Sequence, residues 1–122
     1  MKDIEKLKKS ALTLLKNLIA TPSFSSEEDK TAILIENWLD LHDIPFKREN
    51  NNIYAFNKYY DESKPNLLLN SHHDTVKPNS GYTKDPFKPQ IEDGKLYGLG
   101  SNDAGGCLVS LLASFVYFYD RF

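Results

Sequence analysis

With 122 residues, of which 40% are apolar, 26% charged and 12% aromatic, the chain has the composition of one packed domain rather than of a disordered segment. Its net charge of −2 leaves no electrostatic footprint for nucleic acid or for an anionic membrane, so neither is an expected partner. No apolar run nears the roughly 20 residues that span a bilayer. Met1 precedes charge rather than a signal-peptide core, and the single Cys107 cannot close an internal disulfide; the expected compartment is the cytoplasm.

Residues 3–20 place Ile4, Leu7, Ala11, Leu14, Leu15, Leu18 and Ile19 at helical spacing, and Lys2, Asp3, Glu5, Lys6, Lys8 and Lys9 form a solvated face. Thr21-Pro22 ends this helix, because proline disfavours helical backbone in the residue before it. Ser25 and Glu28 have capping-box spacing, which predicts a second helix through about His42 with Ala32, Ile35, Trp38 and Leu39 inward. His42 would complement the dipole at that helix's end.

Ile44 to Arg48 and Ile53 to Asn57 predict two short strands around an Asn50-Asn51-Asn52 turn, since asparagine tolerates left-handed backbone. Residues 61–65 form a polar loop. The continuous apolar run from Asn66 to His72 predicts a strand buried on both faces. A loop over 77–87 leads to a hairpin in which 88–91 and 95–97 flank Glu92-Asp93-Gly94. From Asp103 a last helix is apolar nearly all round, with Cys107 as a small buried residue. Helices alternating with strands make the class α/β. The two-sided strand and the apolar last helix both call for covering chain, so the sheet is expected to be incomplete.

Functional groups in open α/β sheets gather where strands end. His72 falls at such an end, and Asp74, two residues on, points to the same side if the extended geometry continues. A histidine that ligates a metal commonly gives its other ring nitrogen to a carboxylate, the task open to Asp74. Asp103, 29 residues after Asp74, opens the last helix, where backbone N–H groups favour an ionised carboxylate. Gly98, Gly100, Gly105 and Gly106 allow close approach of neighbouring elements. Each feature also has a plain reading: His72 as a hydrogen-bonded histidine, Asp103 as a helix cap, and His73, facing away from His72, as structural. Rival motifs fail. Asp103 stands where a dinucleotide fingerprint needs its third glycine, and the glycine spacing of a phosphate loop lacks its Lys followed by Ser or Thr.

Taken together, His72-His73-Asp74-Thr75-Val76, Tyr82-Thr83-Lys84-Asp85-Pro86-Phe87 and Leu96-Tyr97-Gly98-Leu99-Gly100-Ser101-Asn102-Asp103 resemble the M20 family of di-zinc aminoacylases and deacetylases. Order and spacing match across residues 66–110, and the wording around His72 and Asp103 is most similar to the acetylornithine deacetylase branch. Tyr82 replaces the usual Trp, Leu99 an arginine, and Ala104-Gly105-Gly106 a frequent Met-Lys-Gly; none of these removes a metal ligand.

The resemblance implies an αβα-sandwich hydrolase catalytic domain, of which residues 1–122 are the N-terminal part, with its remainder and a dimerisation domain absent. It implies His72 as a ligand of one zinc, Asp103 as a bridge between two zincs, Asp74 as the residue orienting His72, and a cis peptide after Asp103. The cofactor would be two zinc ions, with cobalt possible, and this chain alone would hold one weakly or none. The general-base glutamate and further ligands would come from beyond Asp103. The implied reaction is deacylation of a small N-acyl amino acid such as N-acetylornithine, in arginine biosynthesis, by a homodimer when full length. A dipeptidase or succinyl-amine hydrolase is the alternative within the family, and a non-catalytic remnant or binding module the alternative outside it.

Overall fold

The computed structural model describes residues 3–121, so Lys2 of the expected solvated face lies outside the described residues. Helix α1 spans Ile4–Ala20, and Asp3 caps it by accepting from the Glu5 and Lys6 N–H groups. Leu7, Ala11, Leu14, Leu15, Leu18 and Ile19 are buried as their spacing requires, whereas Ile4, in the first turn, is exposed. Helix α2 spans Asp29–Leu41 and buries Thr31, Ala32, Ile35, Trp38 and Leu39. The capping box is not formed. Ser25 lies ahead of the helix with its hydroxyl on Asp74, and the Glu28 carboxylate accepts the Ser26 N–H at 2.6 Å. His42 does end α2, where its Nε2 meets the Ser10 hydroxyl at 3.0 Å and its ring lies 4.3 Å from that of Trp38.

Strands β1 (Lys47–Glu49) and β2 (Asn52–Tyr54) pair antiparallel, with Arg48 opposite Ile53. The turn between them places Asn50 at φ 55°, the left-handed backbone expected of asparagine. Both strands are shorter than expected. Pro45 has no N–H for a ladder, and residues 57–58 bond instead to the end of the last helix, Asn57 Nδ2 to Phe118 O and Lys58 N to Tyr119 O. Strands β3 (Gln90–Glu92) and β4 (Lys95–Tyr97) form the second antiparallel pair, turned by Asp93 at φ 48° and Gly94 at φ 74°.

The largest departure is the run Asn66 to His72. It joins no strand, and Leu67 and Leu68 are 85% and 83% exposed rather than buried. A strand buried on both faces needs neighbours on both edges, and the one pairing here is an isolated parallel bridge between Phe24 and Thr75. The arrangement is therefore one of mixed helices and two small sheets, and a layered sandwich does not form among the described residues.

Helix α3 spans Gly106–Phe118 and starts later than expected, after a wide turn over Ser101–Gly105. It packs on α1 through Leu108, Val109 and Val116, and these join Ile44 and the inner faces of α1 and α2 in one core. Leu111, Leu112 and Phe115 are only partly covered, and Cys107 is exposed instead of buried because it lies on the outward side of α3's first turn. Among the described residues no helix is long and apolar enough to cross a membrane.

Candidate metal centre

Residues 23–25 run beside residues 73–75 and hold them at three points. The Thr75 N–H donates to Ser23 O at 2.8 Å, the Ser23 hydroxyl to His73 O at 2.9 Å, and the Ser25 hydroxyl to Asp74 Oδ2 at 2.6 Å. His73 turns away from His72. Its Nδ1 meets the Thr31 hydroxyl at 2.8 Å and its Nε2 the Asn51 carbonyl at 2.9 Å, a structural role linking α2 and the β1–β2 turn.

On the other side, His72 Nδ1 lies 3.0 Å from Asp74 Oδ1 and 3.2 Å from Asp74 O. Asp74 thus accepts the Nδ1 proton, and Nε2 is directed at Asp103 Oδ1, 3.2 Å away. The three residues singled out in the sequence are brought together, with the Asp103 side chain 88% exposed and the His72 side chain 51% exposed.

Asp103 arrives there by a different route from the one expected. It is not in a helical first turn but has extended backbone, φ −120° and ψ 98°, three residues ahead of α3. The turn around it is widened by two i→i+5 hydrogen bonds, Gly105 N to Gly100 O at 2.8 Å and Gly106 N to Ser101 O. The Asp103–Ala104 peptide is cis, as the resemblance implied. Close packing fixes this turn. A Cβ on Gly105 would stand 2.6 Å from Gly100 O and 2.7 Å from Leu15 Cδ1, and one on Gly98 would meet Ile19 Cγ2.

Burial disfavours the charged imidazole of His72, but the hydrogen bonds and charge of Asp74, with a smaller push from Asp103, outweigh it and raise its pKa above the ordinary value. The Ser25 hydroxyl is the foremost cause holding the Asp74 carboxyl below its ordinary range; burial opposes it and His72 adds to it.

His72 Nε2 and Asp103 Oδ1 are spaced as two donors to one metal ion would be. Ligand bonds of about 2.0–2.1 Å in a tetrahedron place neighbouring donor atoms about 3.3 Å apart, close to the 3.2 Å between His72 Nε2 and Asp103 Oδ1. Among the described residues no group of three or more His, Cys, Asp or Glu is gathered for a metal. A cavity of about 310 Å³ opens beside the pair, lined by Thr75, Val76, Tyr82 and Leu99 together with the loop from Gly98 to Asp103. Neither Ser23 nor Ser25, the latter matched to a capping box, is marked by the sequence as part of this site, although a period-two pair of hydroxyls around Phe24 is the pattern of one face of extended chain.

Residues 68–122 match the family model described as Peptidase family M20/M25/M40. Over 118 residues the chain is 31% identical to the acetylornithine deacetylase of Edwardsiella ictaluri, covering 84% of this chain and 30% of that protein. It is 32% identical over 117 residues to the succinyl-diaminopimelate desuccinylase of Wolbachia pipientis, covering 90% and 29%. The acetylornithine deacetylase of Pasteurella multocida is 38% identical over 112 residues, covering 80% and 28%. The chain thus spans about three-tenths of the length of the curated relatives it matches.

Proposed function

Because residues 68–122 of this chain belong to peptidase family M20/M25/M40, we propose that it is the N-terminal part of the catalytic domain of a zinc-dependent amidohydrolase acting on a small N-acyl amino acid. The observation that carries the reading is the chain Asp74–His72–Asp103, in which a carboxylate fixes one ring nitrogen and the other shares a ligand-length edge with a second carboxylate.

His72 would hold the metal through Nε2 and Asp103 through its carboxylate, while Asp74 keeps the ring from turning. Bound zinc supplies Lewis acidity for the amide carbonyl and for an attacking water. The 310 Å³ cavity is at the lower end of small-molecule sites, which suits an acylated amino acid. Tyr82, half-exposed, borders it, and Leu99 is buried behind its wall. The general-base glutamate that the family resemblance implies would come from chain outside these 122 residues. A catalytic zinc usually has three protein ligands; with two, this chain alone binds metal weakly and does not turn over substrate. A cytoplasmic enzyme, homodimeric at full length, with an αβα sandwich completed by further chain, belongs to the same reading.

N-Acetylornithine is the favoured substrate, supported by the two acetylornithine deacetylases above. A succinylated diamine is the second reading, supported by the Wolbachia relative. The test is a chimera in which this chain replaces the matching segment of the Pasteurella multocida enzyme, assayed on both acyl substrates with zinc. Hydrolysis that depends on His72 and Asp103 is expected, with the acetyl substrate preferred. Equal hydrolysis by the His72→Ala chimera would overturn the proposal.

A further inference from the structure

The Ser25 hydroxyl is committed to a single carboxylate oxygen, Asp74 Oδ2 at 2.6 Å, while the other oxygen of that carboxylate takes His72 Nδ1 at 3.0 Å. A carboxylate held at one oxygen alone swings about its χ2 bond, a broad torsion with little preference of its own. Held at both oxygens it has one orientation, and the ring hydrogen-bonded to it is aimed as well.

Ser25 is itself placed by independent restraints. Phe24 bridges to Thr75, the Ser23 side chain and carbonyl are tied to His73 O and Thr75 N, and the following turn is closed by the Ser26 N–H on Glu28 Oε1. From this geometry we propose that Ser25 is a positioning residue of the metal centre, fixing Asp74 and through it the direction of His72 Nε2. The inference rests on His72 being a ligand, and it extends that site to a segment 47 residues earlier in the chain.

Ser25 is exposed, so Ser25→Ala removes the hydroxyl without opening the core. Two readouts on the purified chain separate positioning from a general structural role. The first needs no metal: ¹³C relaxation of the His72 ring should report greater ring mobility in Ser25→Ala, unchanged mobility in the rings of His73 and His42, and recovery in Ser25→Thr. The second is zinc affinity, expected to fall about 3- to 10-fold in Ser25→Ala, below the 10- to 100-fold typical of a group that touches the ligand itself. In an Asp74→Ala background the same substitution should change neither readout, because the two groups act in series.

A wild-type His72 ring order in Ser25→Ala would overturn the inference, as would an equal loss of affinity with and without Asp74. If instead His72→Ala left zinc binding unchanged, the metal-site reading would fail while the ring measurement still reported on the Ser25–Asp74–His72 chain.

Discussion

Replacing Gly105 by alanine tests the turn that delivers Asp103. The added Cβ would stand 2.6 Å from Gly100 O and 2.7 Å from Leu15 Cδ1. Neither neighbour gives easily. Gly100 O already accepts the Gly105 N–H at 2.8 Å, and Leu15 is 8% exposed within the core. Overpacking of this kind costs typically about 1–3 kcal/mol, and a clash with backbone rather than with a flexible side-chain end belongs at the upper half, about 2–3 kcal/mol. Gly94→Ala is the comparison. It meets nothing within 4 Å, but its φ of 74° makes the left-handed conformation cost an alanine about 1–2 kcal/mol. With a urea slope of about 1–3 kcal/mol/M for a small protein, Gly105→Ala should lower the unfolding midpoint by about 0.7–3 M. It should also weaken zinc binding, because relief of the clash moves the Gly100–Asp103 turn, whereas Gly94→Ala should leave zinc affinity alone. A Gly105→Ala protein within about 0.5 kcal/mol of wild type, the ordinary scatter of surface substitutions, would refute the close approach.

Leu39→Ala, at 2% exposure in the core, should cost about 2–5 kcal/mol in the same urea series. Thr31 is fully buried, and Thr31→Val keeps its shape while removing the hydroxyl that meets His73 Nδ1 and donates to Glu28 O; Glu28 O keeps the Ala32 N–H, so a loss of about 1–3 kcal/mol is expected from the stranded His73 nitrogen. Acid unfolding should show the share of Glu28. The Ser26 N–H lowers its pKa in the folded chain below 4.5, so its stabilisation is complete above the unfolded pKa and is lost as pH falls through the folded one. Glu28→Gln should therefore show a shallower loss of stability below about pH 4.5, as read by urea midpoints at several pH values.

How far the sequence discloses this molecule depends on the range of the interactions. The helices follow from periodicity alone, because α1 and α2 bury the face their apolar residues define. The Asp93-Gly94 turn is equally local, since its backbone conformation is a property of those two residues. The strand expected over Asn66 to His72 fails because apolar content signals a demand for cover and cannot supply it; Leu67 and Leu68 remain exposed without neighbours. Cys107 is exposed where burial is expected, because an all-round apolar helix does not announce which side is packed. At the site, His72, Asp74 and Asp103 were legible from their motif, and the Asp74 alignment from period-two geometry. Ser25 was not, because a capping-box pattern with Glu28 explained it locally, while its actual partner lies 49 residues away. The widened turn at Asp103 was also hidden, being set by contacts of Gly105 with Leu15 on another helix.

The central claim is that His72 and Asp103 are two ligands of one zinc site, and equilibrium zinc binding by the purified chain tests it most directly. Wild type should bind one ion measurably, and His72→Ala and Asp103→Ala should each abolish that binding while keeping the wild-type fold by circular dichroism. Zinc affinity indistinguishable among the three proteins would contradict the account.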